Sequence, residues 1–178
     1  YDFFCDFIDE IIKSGIQIVY VHARNAILNN LSPKNNRTIP PLNYDFVTKI
    51  KKEHPKIQFI LNGGVDTIEK AYTLSQLHDG VMIGRLIQKN PFCLSKVDKL
   101  FFNTKKENCF THKIVSEYFE YIKKKLDNDS IYRLLSPLLG VFFRIHNSKK
   151  LKSEIQSRMK NYEIDTLESL FLQFVDNH

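Results

Sequence analysis

Residues 19–47 run VYVHARNAILNNLSPKNNRTIPPLNYDFV, an apolar, β-branched stretch that gives way at once to His22, Ala23 and Arg24. The first three residues read as the end of a buried strand. A polar tract follows, carrying Asn29, Asn30, Ser32, Pro33, Lys34, Asn35, Asn36, Arg37, Pro40 and Pro41 before the next helical pattern. A connection that long inside a compact domain is either disordered or functional.

Working outward, Phe3, Phe4, Phe7, Ile8, Ile11 and Ile12 recur at helical spacing and Gly15 ends the pattern, so a helix precedes a strand over residues 16–21. Downstream, Tyr44, Phe46, Val47 and Ile50 predict a helix stopped by Pro55. KIQFILNGG (56–64) predicts a second strand, Asp66 or Thr67 can cap another helix, and HDGVMIGR (78–85) holds a third strand. Apolar strands alternating with amphipathic helices indicate a parallel sheet covered on both faces. A doubly wound sheet and a β/α barrel both satisfy this pattern.

After residue 102 the rhythm changes. Ile114, Val115, Tyr118, Phe119, Ile122 and Leu126 form one helical stripe, and Leu134, Leu135, Leu138, Leu139 and Phe142 a second. Ile155, Met159, Leu167, Leu170, Phe171 and Phe174 supply one or two more. The expected division is an α/β part over 1–102 and an all-α helical bundle over 103–178.

Composition narrows the partners. With 178 residues, 43% of them hydrophobic, the chain can bury a core, and its net charge of +6 suits an acidic partner such as RNA. Two-thirds of that excess falls in residues 91–178. Cys5, Cys93 and Cys109 are widely spaced with no CxxC, so neither a disulfide framework nor a zinc site is expected, and a reducing intracellular compartment is. No apolar run approaches the roughly 18 residues of a membrane span. The opening YDFFCDFIDEII is neither a signal peptide nor a transit peptide; it starts inside a helical pattern without Met, which predicts a segment of a longer protein.

Each predicted strand ends in residues a core does not need: His22 and Arg24, then Asn62, Gly63 and Gly64, then Gly84 and Arg85. Ligands of parallel α/β folds bind at the carboxyl ends of the strands. Two consecutive glycine-bearing loops, the second with a cationic fork, suit a phosphate. Taken singly, NGG is often only a tight turn, Arg85 a surface ion-pair partner and His22 a satisfied core histidine. Their recurrence at three equivalent strand ends favours a site.

The stretches VHARNAILNNLSPKNNRTIPPLNYDFV, ILNGGV and DGVMIGRLIQKNPF together resemble the second half of a tRNA-dihydrouridine synthase, most closely the bacterial A-type subfamily. That resemblance implies the C-terminal part of an FMN-binding TIM barrel, strands six to eight, followed by a helical tRNA-binding domain. It implies an enzyme that reduces the C5–C6 double bond of D-loop uridines, about positions 20 and 20a. NADPH reduces the flavin, hydride passes from flavin N5 to uracil C6, and a cysteine general acid protonates C5. By the same resemblance His22 contacts the flavin, Asn62, Gly63 and Gly64 form the first phosphate loop, and Gly84 with Arg85 the second. Arg24 lies beside the flavin where the uridine enters, and the loop with Lys34 and Arg37 faces the tRNA. The family's basic pair after an LLG helix falls on Lys149 and Lys152. Here the turn reads RIHNSKK where the family carries arginines, so point charges replace bidentate forks. The general-acid cysteine and the first flavin loop belong to an N-terminal half outside this chain, which predicts an inactive segment when isolated. Two other readings stand beside it: a non-catalytic tRNA-binding remnant, and a flavin or sugar-phosphate barrel with an unrelated substrate, which accounts for NGG and GR but not for the basic helical tail or the Pro-Pro loop.

Overall fold

A computed structural model describes residues 1–104, 111–142, 148–159, 161 and 163–176. The chain packs as two compact units, Tyr1–Leu86 and Ile87–His178. The packing boundary therefore precedes the composition change expected near residue 102. Phe92 packs against the core of the second unit, and a Cβ at Gly140 would overlap the Pro91 ring.

In the first unit, α1 (Asp2–Lys13) is followed by β1 (Ile18–His22), a one-turn α2 (Pro33–Asn36) and α3 (Tyr44–Glu53). Then come β2 (Gln58–Asn62), α4 (Ile68–Ser75), β3 (Gly80–Met82) and α5 (Arg85–Lys89), which runs across the unit boundary. The helix starts follow ordinary capping chemistry. The side chains of Ser32, Asn43 and Thr67 accept from the backbone N–H groups of Asn35, Phe46 and Lys70, so Thr67, not Asp66, caps α4.

The strands form a parallel sheet in the order β1-β2-β3, registered Val19 with Phe59 and Val21 with Leu61. Those four residues point into a core shared with Ile8 and Ile11 of α1, Val47 and Ile50 of α3, and Leu74 of α4. Phe59 and Leu61 are fully buried, and each stabilises the unit by roughly 1.5–3 kcal/mol. Asp79 fastens β3 behind them, its carboxylate accepting from the Phe59 N–H at 2.9 Å and pairing with Lys51 at 2.9 Å. Burial alone would raise that carboxyl; the N–H and the ammonium outweigh it and hold the pKa below the usual range.

The expectation of a sheet covered on both faces is corrected. Helices α1, α3 and α4 lie against the face of Val19, Val21, Phe59 and Leu61, while the other bears Ile18 at 50%, Tyr20 at 65% and Met82 at 43% exposure. Parallel crossovers share one hand, so strands taken in sequence order collect their helices on a single side; a doubly wound sheet reverses its order to cover both. This sheet is singly wound.

The described residues of the second unit form helices and irregular connections. A 3₁₀ stretch (Pro91–Lys96) leads into α6 (Val97–Phe102), followed by α7 (Thr111–Lys125) and α8 (Ile131–Leu135). A second 3₁₀ stretch (Ser136–Phe142), α9 (Ser148–Met159) and α10 (Ile164–Asp176) complete it. Val115, Phe119, Ile122, Leu135, Phe142, Ile155, Leu167 and Phe171 form its core, with the Phe119 and Phe142 rings 5.5 and 5.1 Å from that of Phe171.

Candidate functional site

The register that builds the core also gathers the polar strand ends. His22 pairs with Asn62, and Asn62 with Met82, so the three carboxyl termini share one edge of the sheet. Two of the expected site residues, His22 and Asn62, are the last residues of their strands, which fixes their backbones more firmly than a loop would.

Gly63 and Gly64 adopt φ of +120° and +64°, a region that L side chains rarely enter. A side chain would also displace Leu42. A Cβ at Gly63 would sit 2.9 Å from Leu42 Cδ2 and 3.5 Å from His22 Cε1, and one at Gly64 would overlap Leu42 Cδ1 outright. The two carbonyls are held from behind, Gly63 O accepting from the Tyr44 hydroxyl at 2.6 Å and Gly64 O from Lys70 Nζ at 2.8 Å. This turn is therefore a fixed piece of backbone.

At the third strand end the geometry is open. Among the described residues a Cβ added at Gly84 would meet nothing within 4 Å. Arg85 opens α5 beside that space and donates through one guanidinium nitrogen to the Arg37 carbonyl at 3.3 Å.

Partial burial, with the positive charges of Arg24, Arg85 and Arg37, pushes the His22 imidazole below its ordinary pKa. It is neutral at neutral pH, with one nitrogen able to donate and the other to accept. The same three guanidiniums give the sheet edge a positive field suited to an anion.

The long connection after β1 is a constructed loop. Its base is closed by the antiparallel bridge of Arg24 with Leu42 and by the Asn43 N–H donating to Ala23 O at 2.9 Å. Arg24 Nη1 donates to the carbonyls of Thr38, at 3.1 Å, and Pro40. Among the described residues its Nε is buried without a partner. Inside the loop, the Asn36 carboxamide accepts from the Ile27 N–H at 2.7 Å and donates to the carbonyls of Ile27 at 2.7 Å and Leu31 at 3.3 Å. Lys34 and Arg37 flank that clasp, and the loop also exposes Leu28 and Ile39. A cleft of about 230 Å³ opens beside the base, walled by Tyr1, Phe4 and Phe46 and bordered by His22, Arg24 and Asn25.

Thus His22, Arg24, Asn62, Gly63, Gly64, Gly84, Arg85 and the loop of Arg37 converge on one edge. Tyr44, Lys70, Leu42 and Asn36, which build that edge, were not singled out by sequence pattern. Tyr44 reads there as a core residue of α3, and Asn36 as one of several interchangeable polar residues.

In the second unit, Lys149 and Lys152 stand three residues apart on the first turns of α9, Lys149 exposed and Lys152 with its Nζ 5.7 Å from the centre of the Phe142 ring. The run Lys123 to Lys125 differs, because Lys123 lies 3.5, 3.0 and 2.9 Å from carboxylates of Glu120, Asp165 and Glu168, tying α7 to α10. Cys5 packs into the first unit's core with its Sγ 3.9 Å from Glu53 Oε2, and Cys93 is half-buried in a 3₁₀ turn; Cys109 lies outside the described residues. Among the described residues no group of His, Cys, Asp and Glu is arranged to hold a metal, and no helix is long and apolar enough to cross a membrane.

The family model for dihydrouridine synthase (Dus) matches residues 1–175. A tRNA-dihydrouridine(20/20a) synthase of Pseudomonas syringae is 46% identical over 100 residues, covering 56% of this chain and 30% of that protein. The synthase of the same name from Pasteurella multocida is 35% identical over 144 residues, 80% of this chain and 44% of its own length. That of Escherichia coli K12 is 34% identical over 152 residues, 84% and 44% respectively. The chain spans less than half the length of the curated relatives it matches.

Proposed function

The chain belongs to the dihydrouridine synthase family, and from that membership we propose that it is the carboxyl-terminal part of an FMN-dependent, NADPH-driven enzyme forming 5,6-dihydrouridine in the D-loop of tRNA. The names of the relatives support uridines 20 and 20a as its targets. The observation that carries the reading is the convergence of His22, Asn62, two left-handed glycines, Gly84 and Arg85 on one edge of a parallel sheet.

FMN fits this edge. The open space at Gly84, the Arg85 fork and the rigid Gly63-Gly64 turn suit a phosphate, and the neutral His22 suits a polar edge of the flavin ring system. Arg24 lies close by with a buried Nε that has no partner among the described residues, a donor a bound group could use. When bound, FMN supplies to the uracil ring the hydride taken from NADPH. The chain's own residues hold and orient: Arg85 balances phosphate charge, His22 donates or accepts without adding charge, and the loop with Lys34 and Arg37 meets the tRNA.

β1, β2 and β3 are read as strands six to eight of a β/α barrel, because a singly wound sheet with a bare apolar face is what a closed barrel fills. The helical unit is read as the tRNA-binding domain, with Lys149 and Lys152 meeting adjacent phosphates. The general-acid cysteine is assigned to the part of the enzyme outside this chain, since Cys5 packs into the first unit's core and Cys93 lies half-buried in a 3₁₀ stretch, neither of them at a strand end. That same observation is what favours the second reading, a tRNA-binding remnant without catalysis.

The deciding experiment uses the longer protein containing this chain, with flavin absorbance and dihydrouridine content of incubated tRNA as readouts. Bound flavin and dihydrouridine at 20 or 20a are expected. Tight tRNA binding without either selects the remnant. In the same protein Lys149→Ala/Lys152→Ala is expected to weaken tRNA binding and to flatten the salt dependence of log Kd by about 1.8 for two phosphate contacts. Unchanged affinity and slope would remove that face from the interface.

A further inference from the structure

We infer that Asn36 is a positioning residue for tRNA capture, acting through Lys34 and Arg37, an inference that rests on the synthase reading above. Nothing in its residue type marks it out; its bonding does. Its carboxamide engages both backbone groups of Ile27 at 2.7 Å and the Leu31 carbonyl at 3.3 Å, so one side chain replaces the pairing that a neighbouring strand would supply. Residues 27–36 become a closed ring whose turn includes Asn30 at φ +67°, a conformation asparagine tolerates well.

The rest of the loop is fastened to the site from two sides. Arg24 grips the carbonyls of Thr38 and Pro40, and Arg85 grips that of Arg37. These clamps hold the second half of the loop, whereas among the described residues only the Asn36 side chain joins the first half to it across the ring. Lys34 sits on the one-turn helix that Ser32 caps, and that helix ends at Asn36. The cationic groups are thus presented on a backbone ordered before any partner arrives. A flexible loop would have to lose that freedom on binding, and the loss would subtract from affinity.

The prediction separates holding from touching. In the longer, flavin-loaded protein, Asn36→Ala is expected to raise the Kd for tRNA about tenfold, the equivalent of one to two net hydrogen bonds. The slope of log Kd against log salt should stay at the parent value, because the phosphate contacts are the same once formed. Lys34→Ala should instead flatten that slope by about 0.9, one contact's worth. For Asn36→Ala the loss should appear in KM, with kcat and flavin content within about twofold of the parent. Asn36→Asp keeps the acceptor for the Ile27 N–H but sets a charge against two carbonyls, and should lose at least as much. Faster amide exchange over residues 27–38 in both variants, with unchanged Tm, is the accompanying signature. An Asn36→Ala protein with parental Kd, or with the flattened slope of Lys34→Ala, overturns the inference. A parent that fails to bind tRNA overturns the synthase reading first.

Discussion

Gly64→Ala in the longer protein is expected to raise the Kd for FMN roughly thirtyfold, or to lower Tm by an equivalent amount, about 2 kcal/mol in total. Two terms add. A non-glycine residue at φ +64° carries about 1–2 kcal/mol of backbone strain. The new Cβ would also overlap Leu42 Cδ1, so the half-buried Leu42 side chain must leave its rotamer to make room. If the turn keeps its path, strain appears as lost stability; if it relaxes, the cofactor must select the original path and the cost appears in affinity. Gly84→Ala is the comparison that makes this diagnostic. Its φ is unremarkable and its Cβ meets nothing within 4 Å, so the flavin-free protein should keep its Tm. A methyl group in the space assigned to the phosphate should still weaken FMN, by about tenfold if one close contact is lost. Flavin titration and thermal unfolding of both variants check the pair. A Gly64→Ala protein with parental Tm and parental FMN affinity would remove the turn from the site.

The contrast between those glycines shows what the sequence could and could not convey. Short apolar runs and helical spacing placed all three strands and α1, α3 and α4, because burying apolar side chains is a local, repeating demand, whereas the short α2 and α5 carry no such pattern. The polar strand ends were legible for the same reason: His22, Asn62 and Arg85 interrupt that repetition. Gly63 and Gly84 look alike in sequence, yet one needs glycine for its backbone and the other offers empty space. That difference depends on Leu42, far from Gly63 along the chain, and no spacing rule reports it. Arg24 was legible as a site residue but not as a clamp on Thr38 and Pro40, since its partners are backbone carbonyls that every residue has. Coverage of the sheet was misjudged for a related reason. Continuous apolar strands announce that both faces are buried without saying what buries the second, and here nothing among the described residues of the first unit does.

That bare face yields a prediction of opposite sign in two settings. Ile18, Tyr20 and Met82 are 50%, 65% and 43% exposed on a sheet whose other side is a closed core, and β1 leaves one edge unpaired. The 178-residue chain prepared alone is therefore expected to self-associate, seen as oligomers by light scattering after gel filtration. Tyr20→Lys should shift that chain toward monomer, because it places a hydrated charge on the surface that drives association. The same change in the longer protein should be severe. If the face lines a barrel interior, the introduced ammonium loses its water, and its register partner on β2, Ile60, offers it no carboxylate. An unpaired buried ammonium costs several kcal/mol, a large part of the roughly 5–15 kcal/mol that holds a protein folded. Loss of soluble, flavin-bearing protein is the expected outcome there. Improvement in both settings would mean that the face stays open in the longer chain, and the barrel reading would fail with it. Damage in both would mean that Tyr20 stabilises the isolated sheet itself. Only reversal of sign fits a face that is surface here and interior in the whole protein.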